Sequence, residues 1–166
     1  TEFEAIGSRM AAAGRFYVKY LGREATQAEK EQFGFTKLTI AQIETQIKAK
    51  PAARRYAIET AFQRHVGRAP TADEINIWMK KPTVDVIVAE LEAVGSRMAA
   101  VGRLYPKYLG REATQAEKEH YGLSTTLTVT QIEADIKAKP AARRYAIETS
   151  FQRHLGRDPT PAEMST

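Results

Sequence analysis

Eight basic side chains in two identically spaced groups are the residues of this chain best placed to do chemistry. Lys48, Lys50, Arg54 and Arg55 return as Lys137, Lys139, Arg143 and Arg144. Two such patches along a rod could track a phosphate backbone, an interaction whose strength comes from neutralised phosphates. Against that chemistry, no aromatic side chains are interleaved to stack on bases. Glu44, Glu59, Glu133 and Glu148 also stand close by. The competing reading is a solvated helical face, or an ion-paired contact to the next unit. Both readings stay open at this point.

Catalytic candidates are few. His65 and His154 take the positions that Tyr20 and Tyr108 hold in the related segments. A position that accepts either Tyr or His is a packing site with a polar tip. His120 aligns with Gln32 and reads as a surface residue. No second His follows at i+3 or i+4, so there is no helical metal pair, and without Cys there is no thiolate site. Ser8 and Ser96 have no nearby His and acid, and neither a nucleophile elbow nor a Gly-rich phosphate loop occurs. The expectation is no catalytic residue, no cofactor and no metal, hence not an enzyme.

The elements that carry these residues are themselves duplicated. Glu4 to Ile75 reappears from Glu92 to Met164, with one extra residue near Ser124–Thr126. Roughly three aligned residues in four are identical over a period of about 88 residues, the mark of a repeat architecture. An older repeat lies inside it: FYVKYLGREATQAEKEQF aligns with FQRHVGRAPTADEINIW. The chain thus reads as nearly four half-repeats of about 44 residues. The expected units are 1–91, with half-repeats 4–50 and 51–91, and an incomplete 92–166. Thr1-Glu2-Phe3 aligns with Ala89-Glu90-Leu91, so the chain opens inside a helix, and it closes before a counterpart of Trp78. These ends read as those of a piece of a longer array.

The periodicity is helical throughout. Ile6, Met10, Ala13, Tyr17 and Leu21 share one face, as do Ile58, Phe62 and Val66 and their counterparts Ile147, Phe151 and Leu155. Each half-repeat closes its long helix at a Gly-Arg pair: Gly22-Arg23, Gly67-Arg68, Gly110-Arg111 and Gly156-Arg157. Three residues beyond each Arg comes a Thr, and three beyond that a Glu: Thr26/Glu29, Thr71/Glu74, Thr114/Glu117 and Thr160/Glu163. These are capping boxes, and the carboxylates read as caps rather than acid–base pairs. Thr39/Gln42 and Thr128/Gln131 begin another helix the same way. The Arg is expected to bond the last carbonyls of its own helix, which carry partial negative charge. Trp78 follows its cap at the spacing of Phe33 and Tyr121, so it is expected in an equivalent core or unit-interface pocket. Helices are predicted at roughly 4–21, 26–33, 39–49, 52–66, 71–80, 83–94, 96–109, 114–121, 128–138, 141–155 and from 160 onward. Pro106, where the first copy has Val18, should bend its helix rather than break it.

The run Val66-Gly67-Arg68-Ala69-Pro70-Thr71 through Trp78 resembles a bacterial helical repeat domain of unknown function. That domain is found in surface-layer-associated, haemolysin-like and phage structural proteins, and is similar to the phycobilisome linker domain. Asp158-Pro159-Thr160-Pro161 lies close to the same pattern, and all four half-repeats match at Gly-Arg. The chain departs from it at Glu74, where the family often has Gly, at Ala25 and Ala113, where it has Pro, and in having a single Trp. The resemblance implies an all-α, non-catalytic tandem module that helps assemble large extracellular or virion structures.

Composition fits that expectation. The chain has 166 residues, 43% of them hydrophobic, enough for a core. Its 25 basic and 20 acidic residues give a net charge of +5, with the signs interspersed. No apolar run approaches the ~18 residues that suggest a membrane span. The expected function is a self-associating structural module of a bacterial surface, extracellular filament or phage virion, with its own copies or other assembly components as partners. The alternative is a basic helical array that binds nucleic acid or another polyanion.

Overall fold

Local chemistry decides where each helix starts and stops. In the computed structural model, which describes residues 2–124 and 126–164, Gly22, Gly67, Gly110 and Gly156 all adopt positive φ, between 65° and 85°. Such backbone is easy for glycine and strained for other residues. At two of these turns a side chain would also collide. A Cβ on Gly22 would lie 2.2 Å from the Tyr56 ring, and one on Gly110 would lie 2.3 Å from the Tyr145 ring. The next helix then starts at a reciprocal cap. The Thr26 hydroxyl accepts from the Glu29 amide at 3.2 Å, and the Glu29 carboxylate accepts from the Thr26 amide at 2.9 Å. The same pair of bonds forms at Thr71/Glu74, Thr114/Glu117 and Thr160/Glu163.

The described residues form ten helices and no strand: α1 Glu2–Leu21, α2 Gln27–Gly34, α3 Ile40–Lys48, α4 Pro51–His65, α5 Ala72–Trp78, α6 Val84–Leu109, α7 Gln115–Leu123, α8 Val129–Ala138, α9 Pro140–Leu155 and α10 Pro161–Met164. The fold is all-α. Pro51 and Pro140 stand at the first position of their helices, where the missing N–H costs nothing. Two expected helices, 83–94 and 96–109, are one. Gly95 lacks the positive φ of the helix-closing glycines, and no proline or cap interrupts the run, so α6 continues through it. It also continues through Pro106, and the Gly110 amide still reaches the Pro106 carbonyl at 3.2 Å. Of the insertion expected near Ser124–Thr126, Thr125 lies outside the described residues, as do Thr1, Ser165 and Thr166.

The chain divides into two compact units, Thr1–Glu92 and Ala93–Thr166, with residues of α6 in both. In the first, α1, α2 and α3 enclose Ala13, Tyr17, Ala25, Phe33, Ile43 and Ile47. In the second, Val101, Tyr105, Ala113, Tyr121, Ile132 and Ile136 do the same, joined by Ala100 and Leu104. Each buried side chain of Ile size stabilises the fold by about 1.5–3 kcal/mol. The first unit also buries Ile58, Ala61 and Phe62 of α4, Val66 just beyond its end, and Val84, Ile87 and Leu91 of α6.

Candidate interaction surface

The two basic groups lie near the junctions of α3 with α4 and of α8 with α9. Lys48 closes α3 and reaches the Asp85 carboxylate at 2.9 and 3.0 Å, with its ammonium over the Tyr20 ring. That bond to Asp85 raises its pKa. Lys50 sits over the Tyr17 ring. Arg54 donates to the carbonyls of Met79 and Lys81, both at 3.3 Å, while its Nε is buried with no partner. Arg55 pairs with Glu59 one turn on. In the second unit Lys137 pairs with Glu133 at 3.1 Å, Lys139 with Asp135 at 3.7 Å and Arg144 with Glu148 at 2.8 Å. Arg143 is exposed on α9. Exposed pairs of this kind are worth about 0–1 kcal/mol each, so they scarcely hold the fold. What they do is neutralise locally the charge that a polyanion would need.

The repeated Arg is placed differently from the expectation. Arg23 does not bond the carbonyls of its own helix. Its guanidinium turns forward and grips the Glu29 carboxylate with two bonds, at 2.8 and 2.7 Å, while also donating to the Glu24 carbonyl at 3.0 Å. The positive φ of the preceding glycine reverses the chain, which points the fork at the start of the next helix. Arg68 grips Glu74, Arg111 grips Glu117 and Arg157 grips Glu163 in the same way. Each guanidinium also lies over an aromatic ring six residues earlier: Tyr17, Phe62, Tyr105 or Phe151. The readable signal was an aromatic six residues before the Arg and a Glu six after it, in all four copies. The two charge-assisted bonds hold all four carboxyls down at about 2, with the cap bonds from Thr adding to them.

The remaining candidates have separate settings. His65 is half-buried, while His154 and His120 are exposed, as the match of His120 with Gln32 implies. Trp78 is half-buried rather than enclosed. It stands edge-on to Phe62 with ring centres 6.2 Å apart, much as the buried Phe33 stands to Tyr17. Phe33 has three helices around it, whereas Trp78 is the last residue of α5 and leans on α4. Tyr121 is buried and donates to Asp135, and burial first and that carboxylate second push its pKa up. An open groove of the first unit is walled by Tyr20, Tyr56, Thr60, Arg64, Val88 and Glu92.

Among the described residues no group of three or more His, Cys, Asp or Glu could hold a metal ion, and no helix is long and apolar enough to cross a membrane. No family model matches the chain, no curated protein matches it, and no solved structure matches it.

Proposed function

We propose that this chain is a non-enzymatic structural module, built of tandem helical repeats of about 88 residues, that self-associates through helical faces. Its setting is a bacterial surface, extracellular filament or phage virion, as the Gly-Arg resemblance implies. The observation that carries the reading is a set of apolar side chains left open in both units: Phe35 is 71% and Ile77 58% exposed, and Ile40 and Val129, at the same register, are 44% and 42% exposed. A solenoid unit buries its apolar face on its neighbour. Head-to-tail contacts of that kind extend into filaments unless their rotation closes a ring.

The polyanion reading has less support, because the basic side chains already meet carboxylates, carbonyls or aromatic rings within their own unit. Electron micrographs of the purified protein test the proposal. Filaments or lattices are expected; dispersed single particles at every concentration would count against it.

A further inference from the structure

We propose that the core positions at which the two units differ form a matched set that keeps each unit's helices with their own partners. Tyr121 of α7 and Asp135 of α8 are its centre: their hydrogen bond holds α7 to α8 and discriminates against α3. Two near-identical units, in one chain or in two, can otherwise exchange helices, a characteristic failure of tandem repeats. The device acts while the chain folds and does not depend on what the folded protein assembles with.

Most packed registers hold the same residue in both units: Tyr17 and Tyr105, Ala25 and Ala113, Ile43 and Ile132, Ile47 and Ile136. Identical residues cannot tell α2 from α7 or α3 from α8. The registers that differ do so together. Phe33, 3% exposed, becomes Tyr121, 2% exposed. The residue on the neighbouring helix changes with it, from Gln46 to Asp135. The Tyr121 hydroxyl donates to Asp135, and Lys139 stands by the same carboxylate at 3.7 Å with its ammonium over the Tyr121 ring. Phe33 has no hydroxyl to donate and meets Tyr17 edge-on, with ring centres 6.5 Å apart. A second difference lies on the long helices. Ala13 and Phe16 of α1 become Val101 and Leu104 of α6, so a small and a large residue give way to two of middle size.

Each mispairing costs at one of these places. With α7 on α3, the Tyr121 hydroxyl loses its carboxylate and meets the neutral Gln46 amide, whose hydrogen bonds are about half as strong. With α2 on α8, Phe33 brings no donor to Asp135. With α7 and α8 moved together onto α1, Ala13 leaves space where Val101 stood and Phe16 crowds the place of Leu104. Native pairing alone satisfies all of them. Present in one unit and absent from the other, the Tyr–Asp bond distinguishes the two; present in both, it would only stabilise.

Four forms of the intact chain test the lock. The natural chain carries the bond in the second unit. Tyr121→Phe with Asp135→Gln removes it, Phe33→Tyr with Gln46→Asp adds it to the first unit as well, and all these substitutions together move it to the first unit. Each form is unfolded in urea, refolded by dilution at one protein concentration and passed over a sizing column. Mispaired dimers are those that survive further dilution and disappear only after a second unfolding, which separates them from reversible self-association. They should be about fivefold more abundant in both forms whose units are alike, the factor that one net hydrogen bond is worth. They should return to the natural level when the bond is moved to the first unit. Cooperative thermal melts should confirm that each form folds. Mispairing that follows the number of bonds, lowest with two and highest with none, would make the bond a plain stabiliser and overturn the proposal. Mispairing that is equal in all four forms, or absent from all of them, would overturn it too.

Discussion

Arg68 and Glu74 form the most covered of the four clamps, with side chains 33% and 21% exposed, against 49% and 34% for Arg157 and Glu163. Water screens the first pair less, so Glu74→Gln should lower the melting temperature more than Glu163→Gln. The four glutamates also fix an acid response. Their folded pKa values, about 2, lie below the ordinary 4.5. A carboxyl depressed by folding gives its full stabilisation above its unfolded pKa and loses it as pH falls through the folded one. Urea midpoints should therefore hold steady above about pH 5 and decline between about 4.5 and 2. Replacing all four glutamates by Gln should flatten that decline. A second prediction concerns Tyr17, whose buried hydroxyl has no partner. Such a group carries a desolvation cost with nothing to offset it. Tyr17→Phe should leave stability unchanged or raise it by up to about 1 kcal/mol in urea unfolding, and Phe62 already occupies the equivalent position.

The helices owe their limits to contacts within a few residues, which is why the caps and stops were legible in sequence. A Thr and a Glu three apart need only one turn of helix to find each other. The Arg clamp was not read, because its parts reach from six residues before the Arg to six after it and meet only once the glycine has reversed the chain. The join of 83–94 to 96–109 was missed for a related reason: a glycine closes a helix only where φ turns positive, and Gly95 stays helical. The turn glycines give a prediction at this scale. Gly22→Ala must hold a strained backbone and displace the Tyr56 ring, whereas a Cβ at Gly67 meets nothing within 4 Å. Gly67→Ala should cost about 1–2 kcal/mol from backbone strain alone. Gly22→Ala should cost clearly more, with thermal denaturation ranking the two.

Across the whole chain, duplication of the sequence announced duplicated cores, and the same six registers are buried in each unit. Which faces stay open was only partly legible. Phe3 is exposed although Leu91, at the same register, is buried, and Ile6, Met10 and Met164 are half-buried. Met10 lies against Gly34 across the α1–α2 contact, a neighbour that helical periodicity does not reveal. The exposure of Leu155 on α9 could not be read from periodicity at all, since α4 and α9 are nearly identical in sequence and differ only in what faces them. The proposed assembly depends on those open faces, and sedimentation velocity of the intact protein tests it most directly. Runs over a wide range of concentration, at low and high salt, should show species that grow with concentration and persist in salt, because apolar contacts outlast screening. A monomer at every concentration and salt would contradict self-association. Growth only on adding a polyanion, abolished by salt, would favour the phosphate-binding alternative instead.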